Sequence, residues 1–419
     1  MIDKTDNKKQ LDALVDNLFR NQYGKMVSYL TNKFGYHFIE DAEDIVQETL
    51  FTAFQNWSFN GIPKNPEAWI FVVAKNKAIN FLKKESKKSN IDIDLLIKET
   101  STPEVNFKLE QEIEDGLLRM IFACCSLNLD HQSTITIILS TLCGFSRKEL
   151  SKAFLCKEET VKKRLYRAKK KIKEKKIQTV ILKGTNLEPR LDLVCNSLYL
   201  MFNEGYNSST SEELIRKDIC LEAIRLTKLL QNHFSHIGKV NALLSLMYLH
   251  AARFESRLDD NGAIILFKNQ DRSKWSFDLI IEGIGFLNSS MKGEDLSSYH
   301  IEAGIAAEHC LADTYDKTNW EKINKLYSLL YNLKPSPIIE LNLAIVDFKL
   351  GKVLTALEKL EDPILKSKLN NYYLYYATLG HLYLFIGNKE KSNFNFLLAK
   401  NLTDSVQEKE FIEKKIIAI

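Results

Sequence analysis

Hydrophobic positions recur at helical spacing along most of the 419-residue chain. In residues 41–57 the apolar side chains fall three or four positions apart and so share one helix face, which comprises Ala42, Ile45, Val46, Leu50, Ala53, Phe54 and Trp57. We predict further helices over residues 66–88 and 158–175. Proline (7) and glycine (16) are scarce, which favours helices joined by short connections over turn-rich sheets. The pattern therefore predicts an all-α protein.

The chain divides into four sections. Residues 9–88 form a helical section rich in aromatic side chains, and residues 89–107 form a polar, periodless linker. Residues 108–176 form a second helical section that ends in a basic run. Residues 190–419 form a long helical section.

The last section is weakly self-similar. Small and large apolar residues at the spacing of a helical hairpin occur twice, first as Ala344, Ala356 and Leu360 and then as Leu379, Gly380, Tyr383, Ser392, Phe396 and Ala399. The interval from Ala344 to Gly380 is close to the period of about 34 residues of tetratricopeptide repeats. The section is therefore predicted to be a tetratricopeptide-like helical-repeat domain, with a generic helical bundle as the alternative.

Residues 145–175 have the pattern of a helix-turn-helix. Ser146 followed by Glu149 is a capping box, which begins a helix. A short turn without glycine follows near Cys156–Lys157. The apolar face of the next helix comprises Val161, Leu165, Ala168 and Ile172.

Positive charge is concentrated in this same segment. Residues 145–176 hold fourteen Lys or Arg against four Glu, a net charge of +10, whereas the whole chain carries +4. Concentrated basic charge is the expected footprint of phosphate binding. The alternative is a solvated lysine-rich surface helix, but a capped helix, a tight turn and an amphipathic basic helix together favour DNA binding.

The two predicted helices of the first section differ in charge. The polar side of residues 41–57 is acidic, with Asp41, Glu43, Asp44, Gln47 and Glu48. Such a face is not attracted to DNA and should meet a protein or solvent. Residues 66–88 instead carry six lysines together with Trp69, Phe71 and Phe81. Rings between Lys and Asn suit unstacked single-stranded bases, although ordinary core packing is the alternative for Trp69 and Phe81.

These motifs in this order resemble the extracytoplasmic-function sigma factors of the sigma-70 family. The matching stretches are D-A-E-D-I-V-Q-E-T, then A-W-I-x-x-V-A-K-N-K-A-I-N-x-L-K-K, then the helix-turn-helix. They cover about the first 176 residues. Residues 198–209, 257–275 and 335–351 resemble the subgroup with a tetratricopeptide-like extension.

The resemblance implies an all-α fold with two small helical sigma domains, the second a helix-turn-helix, before the repeat domain. It also implies roles for individual residues. The residues that it implies for docking on the clamp helices of the polymerase largest subunit are Asp41, Asp44, Gln47 and Glu48. Capture of the minus-ten element falls to the loop Ser58–Pro66 and to Trp69, Lys75, Asn76, Asn80, Lys83 and Lys84. Reading of the minus-thirty-five element falls to Thr160, Lys162, Lys163, Arg164 and Arg167.

Two positions depart from the family's pattern. Lys75 stands where the family commonly has Arg, and Asn80 stands where it commonly has Asp. Lysine cannot reproduce the bidentate fork of arginine. In the subgroup, the resemblance further implies that the C-terminal extension governs the sigma portion in place of a separate membrane-bound inhibitor.

Other classes of protein are disfavoured. The chain has no signal-peptide core and no apolar run long enough to span a membrane, so we expect a cytoplasmic protein. It also has no phosphate-binding loop or nucleophile elbow, so we expect a non-enzymatic protein without cofactor or metal. Seven scattered cysteines without a C-x-x-C pair indicate reduced thiols. Asp259, Asp260 and Asn261 before Gly262 resemble part of a calcium loop, but a turn is favoured because the following residues are apolar.

Two alternatives to a promoter-recognition subunit stay open. The first is a transcriptional regulator whose helical half senses a ligand or partner. The second is a repeat scaffold with a merely soluble basic helix. Residues 41–88 discriminate, because a regulator has no use for a docking face beside a strand-capture helix.

Overall fold

The fold comes from a computed structural model. It describes residues 22–89, 106–127, 129–154, 156–174, 185–207, 215–293 and 295–417. The predicted linker, except for its ends, lies outside the described residues, as do residues 9–21 of the first predicted section. The chain forms two compact units, Met1–Met201 and Phe202–Ile419.

The first unit is built from helices alone in its described part. They are α1 (residues 22–34), α2 (Ile39–Asn60), α3 (Pro66–Ser89), α4 (Asn106–Cys125), α5 (His131–Ile137), α6 (Arg147–Ala153) and α7 (Glu158–Glu174). A further helix, α8 (Leu191–Tyr206), begins in the first unit, and its last residues, from Phe202 on, belong to the second. A π-helical turn, Ile138–Leu142, extends α5. The three helices predicted over residues 41–57, 66–88 and 158–175 are thus confirmed.

α2 is amphipathic as its spacing predicts. Ala42, Ile45, Val46, Leu50, Ala53 and Trp57 are buried. The helix ends at Gly61, whose φ of +79° is a left-handed value that favours glycine. This ending releases the chain into the short loop before α3.

Two glycines mark where α1 meets the later helices of the same unit. A Cβ atom on Gly24 would lie 1.7 Å from the carbonyl oxygen of Leu142, so the backbones of α1 and the π-helical turn approach as only glycine permits. Gly116 of α4 is less tightly placed, because a Cβ there would meet only the side chains of Asn32 and Ser28, at 3.2 and 3.4 Å. Asn32 Nδ2 donates to the Gly116 carbonyl oxygen at 2.9 Å.

The second unit is also helical, and most of its described helices contact the next helix along the chain. They are α9 (Lys217–His233), α10 (Gly238–Ala251), α11 (Phe277–Ser290), α12 (Ser298–Leu311), α13 (Trp320–Leu333), α14 (Pro337–Lys349), α15 (Val353–Glu361), α16 (Pro363–Leu369), α17 (Tyr373–Phe385), α18 (Lys389–Leu402) and α19 (Val406–Ile417). The all-α class is therefore confirmed for both units.

The self-similar residues lie where two helices of a hairpin meet. Ala344, Ala356 and Ala399 are fully buried. A Cβ on Gly380 would lie 3.0 Å from the Phe396 ring, so α17 and α18 approach closely at this glycine. Ser392 Oγ donates to the Gly380 carbonyl oxygen at 2.8 Å. Small residues and one aromatic ring therefore set the packing of this hairpin.

Arginine side chains hold residues 257–275 in place. The Arg257 guanidinium lies 3.8 Å from the centroid of the Tyr206 ring and donates to the Tyr206 carbonyl oxygen. Arg272 Nη1 donates to the carbonyl oxygen of His309 at 2.9 Å, near the C-terminal end of α12. Cations at a helix C-terminus are favourable because the last carbonyls have no partner within the helix.

The segment around Asp259 is a turn, as predicted. Its Oδ1 accepts from the backbone N–H groups of Asn261 and Ala263, at 2.9 and 2.8 Å. Gly262 has a φ of +78°. Leu258 and Ile264 then pair as an isolated antiparallel bridge.

Two glycines of α11 supply a stability prediction. Ala at the buried Gly283 would place its Cβ 2.9 Å from the fully buried Leu249, so we expect Gly283→Ala to destabilise the unit by about 1–3 kcal/mol through overpacking. Gly285 is exposed with nothing within 4 Å of a Cβ, so Gly285→Ala should stabilise it by about 1 kcal/mol through helix propensity. Urea unfolding followed by tryptophan fluorescence measures both; equal effects would contradict the packing described for Gly283.

Candidate nucleic-acid interface

The acidic edge of α2 is the first candidate surface. Asp44, Gln47 and Glu48 are exposed, and Asp41 is half-buried. Burial raises the pKa of the Asp41 carboxyl above its ordinary value, and Lys173 counteracts this shift. Asp44 lies three and four residues before Gln47 and Glu48, so these three side chains form a continuous strip on α2.

α3 is tied to α2 beside this edge. Lys77 Nζ donates to the Glu48 carbonyl oxygen at 3.1 Å and to Thr52 Oγ1 at 3.0 Å, and lies 3.4 Å from Glu48 Oε2. These bonds join the two helices. They also engage one of the four predicted docking residues in an intramolecular contact.

The aromatic side chains of α3 pack on their neighbours. The Trp69 ring meets the buried Trp57 edge-on with centroids 5.4 Å apart. Phe81 lies 5.8 Å from Phe38, and Phe71 lies 5.8 Å from Tyr29. Trp69 and Phe81 are half-buried, so each ring contributes to packing and leaves part of its surface accessible.

The polar residues predicted on α3 share one face. Asn76, Asn80, Lys83 and Lys84 are exposed, while Lys75 is half-buried. Asn80 lies four residues after Asn76 and three and four residues before Lys83 and Lys84, respectively. These side chains present amide and ammonium groups. This face has the chemistry that tracks a nucleic-acid strand.

Sequence reasoning missed two exposed apolar side chains, one on α2 and one on α3. Phe59 is 89% exposed at the end of α2, and Val72 is 52% exposed on α3. Phe59 lies two positions after the buried Trp57, which places it off the apolar stripe. Its position relative to this stripe would have predicted from the sequence that Phe59 is exposed.

The helix-turn-helix is α6 and α7. The predicted capping box is confirmed: Glu149 N–H donates to Ser146 Oγ at 3.2 Å, and Ser146 N–H donates to Glu149 Oε2 at 2.7 Å. On α7 the buried positions are Val161, Ala168 and Ile172, and Leu165 is half-buried. The amphipathic pattern therefore leaves most of the basic side chains of α7 exposed.

The predicted DNA contacts on α7 are not equally accessible. Lys162, Lys163 and Arg167 are exposed, whereas Thr160 and Arg164 are half-buried. Arg164 is held within the unit, because its guanidinium lies 5.5 Å from the Phe154 ring centroid and donates to Gln132 Oε1. Arg164 would have to leave these partners to reach a base.

Glu43 departs from the sequence interpretation. The helical pattern places it on the outer acidic side of α2, but it is 7% exposed. Its Oε2 lies 2.5 Å from Lys169 Nζ of α7, and its Oε1 accepts from Thr141 Oγ1 at 2.9 Å. The predicted placement is wrong because a basic residue 126 positions later converts a surface carboxylate into a buried ion pair.

α2 and α7 therefore face each other within the first unit. A second pair, Glu40 with Lys173 at 4.0 Å, lies along the same contact but is exposed and contributes little. Beside the Glu43–Lys169 pair is a depression of about 500 Å³, which Gln47 and Lys162 both line. A predicted docking residue and a predicted DNA contact thus share one depression.

The family comparisons agree with the two sections of the first unit. Residues 18–88 match the family described as Sigma-70 region 2, and residues 132–172 match Sigma-70, region 4. An ECF RNA polymerase sigma-E factor of Haemophilus influenzae is 28% identical over 187 residues, which are 42% of this chain and 91% of that relative. The factor of the same name from Escherichia coli K12 is 29% identical over 34% of this chain and 76% of its own length.

Similarity extends through the second unit in another relative. An uncharacterized protein of Rhizobium meliloti is 30% identical over 396 residues, covering 94% of this chain and 92% of that protein. The chain belongs to the extracytoplasmic-function sigma factors. As a sigma factor it directs transcription initiation, and its partners are core RNA polymerase and promoter DNA.

The comparisons say less about the C-terminal part of this sigma factor. Residues 190–291 match a family of unknown function, DUF6596. No solved structure matches the chain. In the part of the chain that the structure describes, no helix has the length and apolarity needed to cross a membrane, and no cluster of three or more His, Cys, Asp or Glu could hold a metal ion. The structure describes all seven cysteines, and no two of them form a disulfide bond.

Proposed function

We propose that this sigma factor docks on the clamp helices of the polymerase largest subunit through the outer edge of α2. The edge comprises Asp41, Asp44, Gln47 and Glu48, of which the last three are exposed. Its acidic side chains repel DNA phosphates and suit a basic protein surface. The exposed acidic edge beside a basic strand-tracking helix is the observation that carries the proposal.

The minus-ten element is captured by α3 and the loop before it. Asn76, Asn80, Lys83 and Lys84 follow the melting strand from their shared face, with Lys75 beside them, and the accessible part of Trp69 offers a stacking surface. The exposed Phe59 ring, at the start of that loop, offers a second. Base capture offsets the unstacking of promoter base pairs, which costs on the order of a few kcal/mol per step.

The minus-thirty-five element is read by α7. Lys162, Lys163 and Arg167 hold phosphates or base edges from the exposed side of the helix, with Thr160 near its N-terminus. Arg164 joins them when it exchanges Gln132 and Phe154 for a base. The chain acts in the cytoplasm by binding, and polymerase supplies the chemistry.

Docking requires α7 to move from α2. Gln47 lines the same depression as Lys162, next to the buried Glu43–Lys169 pair. A partner helix is about 10–12 Å across with its side chains, so it gains full access to this edge only when α7 leaves. The second unit modulates that activity.

Run-off transcription tests the proposal. Full-length protein is added to sigma-free core polymerase on a pool of genomic promoter fragments, with Asp44→Lys/Gln47→Ala as the variant. We expect discrete transcripts that the variant loses together with core binding, because the substitutions reverse or remove polar groups at two exposed positions of this edge.

Other outcomes of this experiment separate the alternatives. No transcripts, with duplex DNA still bound by the full chain, would favour a helix-turn-helix regulator with a sensing domain. Transcripts that appear only after removal of residues 190–419 would identify this C-terminal section as an inhibitor of the sigma portion. Equal transcription by parent and variant would exclude the α2 edge as the docking surface.

A further inference from the structure

The second unit contains a cavity of about 270 Å³ that none of the sigma residues uses. Its lining is almost entirely apolar. Leu382, Phe396 and Ile412, which belong to the buried core of α17–α19, are among the lining residues. Phe348 and Phe411 contribute aromatic walls. A concave apolar site with few polar groups is the usual form of a small-molecule pocket.

The charged side chains that line this cavity are all basic. They are Lys268, Lys349 and Lys415, with His381 beside them. Lys349 Nζ lies 5.3 Å from the Phe348 ring centroid and 5.4 Å from that of Tyr315, and Lys415 Nζ lies 5.5 Å from that of Phe411. Lys349 and Lys415 are half-buried.

No carboxylate of the described residues lies within ion-pair distance of these three ammonium groups. Other lysines of the unit behave differently, since Lys359 pairs with Asp347 at 2.5 Å and Lys322 with Glu308 at 2.5 Å. Acidic residues do occur nearby, because Asp259 and Glu410 line a neighbouring depression that shares Lys415. They do not line the cavity itself.

Several like charges around an apolar space raise its positive potential and favour an anion there. The His381 ring adds a polar group without adding charge at neutral pH, because desolvation and the nearby lysines lower its pKa below the ordinary value. A bound anion would gain charge-assisted hydrogen bonds from ammonium groups that form no ion pair with the described carboxylates.

From these contacts we infer that the cavity between α14, α17 and α19 binds a small amphipathic anion, with its apolar body against Phe396 and its carboxylate or other anionic group at Lys349 and Lys415. The volume limits the occupant. At about 30 Å³ per water-sized group, the cavity takes on the order of ten non-hydrogen atoms. A medium-chain fatty acid or an aromatic acid has this size and charge.

Isothermal titration of the full chain tests the inference with octanoate as the probe, and with octanol and octylammonium as matched compounds of the same chain length. We expect octanoate to bind one site per chain at least tenfold more tightly than octanol, and octylammonium to show no binding. Equal binding of octanoate and octylammonium, or binding of neither, would overturn the inference.

Two variants locate the site. Lys349→Glu/Lys415→Glu should weaken octanoate binding at least tenfold, whereas Lys325→Glu/Lys366→Glu makes the same change in charge at exposed positions away from the cavity and should leave it unchanged. Ala377→Phe, which places a ring in the cavity, should abolish binding while the lysines remain. An unchanged affinity in both cavity variants, with melting temperatures like that of the parent, would place the ligand elsewhere. None of these measurements depends on polymerase or DNA.

Discussion

A chain that carries Lys163→Glu and Arg167→Glu is expected to bind core polymerase like the parent and yet to yield roughly a hundredfold less run-off transcript. Both side chains are exposed on α7, opposite the buried Val161 and Ala168, so the fold should be unaffected. Reversing two charges replaces attraction to DNA phosphates by repulsion. A plot of log affinity against log salt concentration has a negative slope. Each phosphate that the variant no longer neutralises should make this slope less steep by about 0.9.

The matched control keeps the net charge of this variant. Lys325→Glu/Lys366→Glu changes two exposed lysines of the second unit, and its transcription should equal that of the parent. If the α7 variant transcribes as well as this control at every salt concentration, the exposed face of α7 does not contact promoter DNA. Loss of core binding by the α7 variant would instead assign that face to polymerase.

Gly24→Ala is expected to separate α1 from the π-helical turn Ile138–Leu142. The added Cβ would lie 1.7 Å from the Leu142 carbonyl oxygen, and neither backbone can yield as a flexible side chain would. We expect a loss of stability of about 3 kcal/mol, at the upper end for overpacking, and therefore roughly a hundredfold faster amide exchange in residues 22–34 and 138–142. Hydrogen exchange followed by mass spectrometry measures this directly.

Gly116→Ala is the matched control, at the contact between α1 and α4. Its Cβ would meet the side chains of Asn32 and Ser28 at distances that a small shift can relieve, and alanine favours the helix. Exchange should therefore stay within about threefold of the parent. Similar exchange in both variants would mean that α1 does not pack on the π-helical turn as described.

Local patterns were sufficient to predict much of the first unit. The apolar stripe of α2 and the capping box of α6 depend on residues a few positions apart, and both occur where the spacing places them. The same holds for the small residues of the α17–α18 hairpin, where Gly380 meets Phe396. Such features need only the periodicity of a helix.

Long-range partners could not be predicted in this way. Glu43 is buried because Lys169 and Thr141 reach it from α7 and the π-helical turn, and Arg164 is engaged because Gln132 and Phe154 lie beside it. Each partner belongs to another helix, so only the tertiary fold brings them together. The basic cavity of the second unit was missed for the same reason, since its lysines lie far apart in sequence.

The Glu43–Lys169 contact also has a consequence for the allocation of polymerase in a cell. Sigma factors share a limited pool of core enzyme, and the share of each follows its apparent affinity. If docking selects the arrangement in which α7 has left α2, every 1.4 kcal/mol or so that stabilises their contact lowers that affinity about tenfold. A buried ion pair outside both proposed binding surfaces would then set the rank of this factor among its competitors, and it could be retuned without altering which promoters the factor reads.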